Sequence, residues 1–319
     1  MSKSKVVYGS DDRLFGRIEK VQLSHSKAFG RFLDAGTGTH SLRWMASLII
    51  DRDGNGNGNG NGNENNGGQR NLNSLLKIEH YTAITADEKM RSNVLKEAQA
   101  LGIEDKGDII IGNWQNTNDN GNDNGGEEFE LCHGEMYDTI LADYLVGAMD
   151  GFSPYYQDQI FPRLIKHLKP GGLLHVVGLN PIPDSAPNDA NIICKMTKLR
   201  DACILLAGHR CYREYPIDWI ERHLEKAGLE VIHSSKFPIL YSHAAIVRQL
   251  NVARSKLSLF PSKALAREMG QAIDALEEES KVATDKSSTG RLKLGFDYVV
   301  SARMPMEKSV NEGKPKDEL

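Results

Sequence analysis

Residues 31–44 read RFLDAGTGTHSLRW, and this stretch decides the fold. An apolar run over 30–35 reads as a buried strand that ends near Asp34. Gly36 and Gly38 then permit a tight turn and a close approach of a ligand to the backbone. A helix is predicted over about 40–50. Strand, glycine loop and helix, in that order, place a ligand at the carboxyl ends of the strands of an open α/β sheet, where strand order reverses. The position points to a nucleotide-like ligand before any motif is matched.

Three ligand classes compete for the loop. A phosphate-binding loop needs Gly-x-x-x-x-Gly-Lys-Ser/Thr, and no lysine follows here. A dinucleotide loop needs Gly-x-Gly-x-x-Gly/Ala; Gly36 and Gly38 fit, but Ser41 stands in the third position. Asp34, two residues before the first glycine, is also out of place beside an anionic pyrophosphate. A cationic ligand suits it better. S-adenosylmethionine carries a sulfonium and an ammonium, and an acid beside a glycine turn matches that amino-acid part.

Outward from the loop the chain alternates. Short strands are predicted at 80–85, 108–112, 137–142 and 172–179. The helix predicted over 87–101 places Met90, Val94, Leu95, Ala98 and Leu101 on one face. Thr85-x-x-Glu88 at its entry has a capping-box pattern. Another helix is predicted over 153–168, with Ser153 capping, Pro154 at its first position and Pro162 kinking it. This rhythm predicts a mostly parallel sheet with helices on both faces. Beyond residue 185 come a helix over 190–206, a helix over 217–227 closed by Gly228, a strand over 229–237, two helices within 243–284 and a last strand over 295–304. One domain with a helical insertion is simpler than two.

Three segments carry a resemblance: FLDAGTG (32–38), YDTILADYLVG (137–147) and LKPGGLLHVVG (168–178). In this order the chain resembles the class I S-adenosylmethionine-dependent methyltransferases, over roughly 28–180 and again at 229–237 and 295–304. The resemblance implies a Rossmann-like doubly wound α/β sheet of seven strands, mostly parallel with an antiparallel last strand and a helical insertion before it. It implies transfer of a methyl group from S-adenosylmethionine to an acceptor, here read as a small molecule. Asp34, Gly36 and Gly38 match the first motif and are expected at the cofactor's methionine part. Asp87 is the candidate ribose ligand, against the alternative that Thr85, Asp87 and Glu88 only build a helix cap. Asn113 is placed to bond the adenine edge and Trp114 to pack nearby, a buried structural tryptophan being the alternative.

Asp143 and Tyr144 fall where the family places groups near the transferred methyl. Asp143 is the candidate base or orienting acid; Tyr144 is a candidate donor, or a ring facing the sulfonium. The alternative for Asp143 is cofactor binding or capping alone. No Asn-Pro-Pro-Tyr tetrad and no double-acid hairpin occurs, which disfavours amide, nucleobase and arginine acceptors. Tyr155 and Tyr156 in MDGFSPYYQ (149–157), and Arg210, Tyr212 and Arg213 in HRCYREYP (209–216), are the candidate acceptor contacts, with the helical insertion as a lid. His40 and Trp44 are further candidates. Two other readings stay open. One is a catalytically silent relative, since Thr85 and Asn113 stand where the family commonly has acids; the other is an NAD(P)-dependent oxidoreductase.

Composition sets the outer limits. The 319 residues carry a formal charge of −4 with both signs interspersed, which argues against a nucleic-acid partner. No apolar run approaches the roughly 18–20 residues that span a bilayer. GNGNGNGNGNENNGG (54–68) and NTNDNGNDNGGEE (116–128) lack apolar residues and are expected to be mobile insertions. The expected division is an N-terminal extension (1–27), a methyltransferase domain (28–304) and a charged, disordered tail (305–319). That tail ends in Lys316-Asp317-Glu318-Leu319, an ER-retrieval signal, while the start of the chain has no apolar signal core. A cytoplasmic location is expected, with the ER lumen as the alternative. Cys132, Cys194, Cys203 and Cys211 show no metal-ligand spacing and read as ordinary thiols; no metal is expected.

Overall fold

Phe32 and Leu33 are both fully buried although a strand turns them to opposite faces, because β1 (Gly30–Asp34) runs through the middle of a covered sheet. The computed structural model describes residues 5–50, 75–115 and 131–306. The two Asn/Gly blocks and the terminal Lys-Asp-Glu-Leu lie outside the described residues. β1 pairs in parallel with β2 (Ile78–Thr85) on one side and with β4 (Tyr137–Asp143) on the other. β3 (Gly107–Ile111) lies beyond β2, and β5 (Leu168–Leu179) beyond β4. The seven-stranded order is β3-β2-β1-β4-β5-β7-β6. β7 (Arg291–Arg303) is antiparallel to both β5 and β6 (Glu230–Ser242). Strand order therefore reverses between β1 and β4, and the crevice at their carboxyl ends is the binding position for this class of sheet.

Helices cover both faces. On one lie α1 (Arg13–Ser24), α2 (Thr39–Ile49) and α3 (Glu88–Leu101), whose Phe15, Ile18, Leu42, Trp44 and Val94 pack against Phe32 and Tyr81. On the other lie α4 (Leu145–Phe152), the single turn α5 (Ile160–Leu164) and α7 (Ile217–Lys226), packed over Leu33, Ile140 and Val300. A third core joins α6 (Asn191–Leu206), α8 (His243–Arg254) and α9 (Lys263–Lys286). No helix among the described residues is long and apolar enough to cross a membrane.

Three local expectations need correction. The helix expected over 153–168 starts later and is broken into a run of short helical turns over 157–167, and a separate helix that was not expected, α4, precedes it. Ser153 ends α4, its N–H bonding the Met149 carbonyl at 2.6 Å, so it does not cap a start. At α3 the cap is Asp87, whose carboxylate accepts from Met90 N–H at 2.8 Å. Thr85 lies inside β2 with its hydroxyl on the Ile110 carbonyl. The expected N-terminal extension contains α1, which is built into the domain.

Gln22 fastens α1 to the sheet. It is fully buried, and its amide donates to the Ala28 carbonyl (2.9 Å) and the Thr139 hydroxyl (3.2 Å). Its Oε1 lies 3.0 Å from Nε2 of buried His175, whose Nδ1 lies 2.8 Å from the Ser301 hydroxyl. An amide oxygen only accepts, so His175 donates from Nε2 and accepts at Nδ1. Burial pushes this imidazole down to about 3, so it stays neutral. Its contribution to stability is complete above the unfolded value near 6.5 and is lost as pH falls toward 3. Gln22→Ala leaves the His175 donor buried without a partner; the expected loss is about 1–3 kcal/mol, read from urea unfolding midpoints.

Candidate functional site

Asp34, at the end of β1, folds the glycine loop around itself. Its carboxylate is fully buried and accepts from the Ser41 hydroxyl at 2.7 Å, with Gly36 N–H farther off at 3.5 Å. The Thr37 hydroxyl donates to the Asp34 carbonyl at 3.1 Å, and Gly38 N–H reaches Ser41 Oγ at 3.3 Å. Burial pushes the Asp34 carboxyl up to about 6, and the surrounding donors temper that rise. Ser41, the residue that broke the dinucleotide pattern, is thus the link between the acid and the second glycine. Thr37 N–H, bonded to the Ile84 carbonyl at 2.7 Å, ties the loop to β2.

The two glycines differ in what the protein asks of them. A Cβ on Gly36 would lie 2.8 Å from Leu145 Cδ1, so the loop packs closely on the start of α4. A Cβ on Gly38 would meet nothing within 4 Å. Gly38 also has φ −110° and ψ 172°, extended backbone open to any residue. Neither its conformation nor its protein neighbours call for glycine.

Beside this loop, at the carboxyl ends of β1, β2, β3 and β4, is a cavity of about 160 Å³. Its wall includes the apolar side chains of Ile84, Met90, Met149 and Phe152, together with Gly36, Thr37 and Asp143. Asn113 and Trp114 follow β3 and line it as well. The Trp114 indole N–H donates to the Ala35 carbonyl at 2.7 Å, joining the β3 end to the glycine loop. Asn113 donates to the Phe152 carbonyl (3.1 Å), and its oxygen accepts from Gln115 N–H (3.1 Å) and the Ser153 hydroxyl. Its side chain is therefore engaged with α4 and its own turn.

Asp143 supplies the carboxyl group among the residues that line this cavity. No hydrogen bond or ion pair to its carboxylate occurs among the described residues. Burial, then the charges of Asp34, Asp12 and Asp297, push it up to about 8. An acid so placed gains from any cation brought beside it.

The remaining candidates fall elsewhere. Asp34 does not line the cavity but shapes the loop that does, and Asp87 is an exposed helix cap. Tyr144 has left-handed backbone (φ 49°) and points its hydroxyl away, donating to Asp297 at 2.9 Å. Tyr155 is 82% exposed with the Arg210 guanidinium over its ring, and Tyr156 packs on the core beneath Arg163. Arg210 is bound to the buried carboxylate of Asp150 at 3.2 Å, which Arg213 also approaches. His40 reaches Asp12, and the Trp44 indole N–H donates to Glu19 within the core. Tyr212 alone of the five acceptor candidates lines the cavity.

Tyr212 also lines a second cavity, of about 250 Å³, that residue patterns did not disclose. It lies between the end of β5, α6, α8 and β6, with Glu214, Arg200, Asp201, Tyr241 and Gln249 in its wall. The nearest sequence signal was the polar-aromatic segment 209–216, which contains both Tyr212 and Glu214.

No protein-family profile matches the chain, and no curated protein matches it in sequence. Solved structures do. The YcgJ protein of Bacillus subtilis is 15% identical at a TM-score of 0.47, over 92% of this chain and 98% of that one. A SAM-dependent methyltransferase from Thiobacillus denitrificans, in complex with S-adenosyl-L-homocysteine, is 13% identical at 0.42, over 90% of each chain. The cyclase SpnF is 14% identical at 0.42, over 92% of this chain and 82% of that one. The strand order with its antiparallel β7 decides the architecture. It is the Rossmann-like methyltransferase fold. A shared fold does not fix the chemistry, which lives in the site.

Proposed function

We propose that the protein is an S-adenosylmethionine-dependent methyltransferase acting on a small-molecule acceptor. The observation that carries this reading is the Asp143 carboxyl, which has no hydrogen-bond or ion-pair partner among the described residues and lines a largely apolar cavity. S-adenosylmethionine has matching parts: a cationic amino-acid end and a planar, largely apolar adenine. Asp143 and the Gly36–Gly38 loop would hold the first, with the first-turn N–H groups of α2 favouring its carboxylate. Ile84, Met90, Trp114 and Phe152 would enclose the second, and the open space beside Gly38 would be taken by the ligand. Bound there, S-adenosylmethionine supplies an electrophilic methyl on a sulfonium. Asp34 and Ser41 act as positioning residues for the loop. Asp87 is kept as a ribose contact only if its cap can be shared.

Isothermal titration with S-adenosylmethionine, S-adenosylhomocysteine and NADH tests the reading. Micromolar binding of the two sulfur ligands without NADH is the expected result. NADH binding alone moves the protein to the oxidoreductases, and silence from all three leaves a non-binding relative.

A further inference from the structure

The second cavity holds a carboxylate with no ion-pair partner among the described residues. Arg200 is already committed: Nε and Nη2 lie 2.8 Å from the Asp201 carboxylate, and Nη1 donates to Gln249 Oε1 at 2.8 Å. That leaves Glu214. No lysine, arginine or histidine among the described residues is within ion-pair distance of it. Burial raises its affinity for a proton, the Arg200 charge opposes that rise from beyond ion-pair distance, Asp297 adds to it, and the backbone N–H of Leu179 donates to the carboxylate. The Tyr241 hydroxyl, also in the wall, is likewise held protonated by burial and by Asp297, and so serves as a donor or acceptor to a ligand.

Glu214 also stands next to the donor cavity. Its Oε2 lies 2.5 Å from where a Cβ on Gly147 would be, against α4, whose Leu145, Ala148 and Met149 line the first cavity. Tyr212 belongs to both walls. Glycine at 147 is what lets this carboxylate lie against the helix that borders the donor.

Resting on the methyltransferase reading, we propose that the Glu214 cavity is the acceptor site and takes a compact molecule bearing a primary or secondary amine. An ammonium group supplies the charge that Glu214 lacks, and Pro181, Ile182 and Met196 offer apolar wall for its carbon frame. The same carboxylate completes the chemistry. It takes one proton from the ammonium, which frees the nitrogen lone pair. The amine nitrogen then forms the new N–C bond as the methyl–sulfur bond breaks, its electrons staying on sulfur. The product is a methylated ammonium and a neutral thioether, and the proton on Glu214 passes to solvent. An anionic acceptor is disfavoured because the one guanidinium in the wall already faces Asp201.

The test compares two probes of similar size and opposite charge, phenethylamine and 3-phenylpropanoate. Each is titrated into the protein alone and into protein saturated with S-adenosylhomocysteine. The amine is expected to bind at least tenfold more tightly than the carboxylate in both forms. Glu214→Gln is expected to abolish that preference while leaving S-adenosylhomocysteine affinity unchanged. Equal or preferred binding of the carboxylate, failure of the amine to bind at millimolar concentration, or an unchanged preference in Glu214→Gln overturns the proposal. Failure of S-adenosylhomocysteine to bind overturns the methyltransferase reading instead, and the wild-type probe comparison still judges the cavity without it.

Discussion

Lowering the pH from 8 to 6 is expected to weaken S-adenosylmethionine binding at least tenfold. In the ligand-free protein Asp143 holds its proton up to about pH 8, because burial and the charges of Asp34, Asp12 and Asp297 oppose ionisation. Asp12 is itself in contact with His40, and Asp297 with Arg13 and the Tyr144 hydroxyl, so these neighbours are partly screened but still acidic. A bound sulfonium or ammonium favours the ionised form. Binding therefore expels a proton below pH 8, and affinity falls by up to about tenfold per unit as pH drops. Calorimetry in two buffers of different ionisation enthalpy reads the proton directly. Asp143→Asn should bind at pH 8 no better than the parent does at pH 6, with no proton released. A flat profile in the parent removes Asp143 from the site.

The same acid has the opposite effect on the empty protein. A carboxyl whose folded value lies above its unfolded value of 3.8 contributes stability that is complete below 3.8 and is lost as pH rises through about 8. Saturating ligand should cancel that loss. Comparing S-adenosylmethionine with S-adenosylhomocysteine separates the two cations. Both carry the ammonium and only the first a sulfonium, so a pH dependence shared by both assigns Asp143 to the amino group.

How much of this was legible in the sequence depends on how local each determinant is. The strand-loop-helix unit at 30–50 was readable because its burial, its turn and its acid lie in one short stretch. The antiparallel β7 followed from the motif resemblance, and β6 and β7 emerged longer than their apolar cores, since edge positions carry polar residues that mask the pattern. α1 was missed although Phe15, Ile18, Val21 and Gln22 mark its inner face and Asp12 caps it. α4 was hidden by Gly147 and Gly151, poor helix formers that are retained here because Glu214 and Tyr212 press against that helix.

Side-chain roles were harder to read where the partner is distant in sequence. Arg210 looked free to bind an acceptor, but Asp150, sixty residues away, holds it. Asp87 had a cap and a ribose role open, and the cap is the bond observed. Glu214 lies within the polar-aromatic segment 209–216 but was not singled out in it, because its importance arises only where β5, α4 and α6 converge.

Replacing Gly38 with leucine is expected to abolish S-adenosylmethionine binding while leaving the fold intact. A glycine substitution ordinarily fails through steric clash or a left-handed backbone, and neither applies at half-buried Gly38. Replacing a glycine at an angle open to other residues also reduces the entropy of the unfolded chain, which for alanine is worth about 0.4–1 kcal/mol in favour of the fold. Gly38→Ala should thus melt at or slightly above the parent temperature, and Gly38→Leu close to it. If the space beside Gly38 belongs to the methionine end of the ligand, the leucine side chain displaces it, and affinity falls by a hundredfold or more, with alanine intermediate. Calorimetry and thermal unfolding on the same preparations separate the two effects. Full affinity in a folded Gly38→Leu protein would mean that the open space is solvent. The ligand would then have to lie farther along the loop, against Gly36, where Leu145 leaves no room for a side chain.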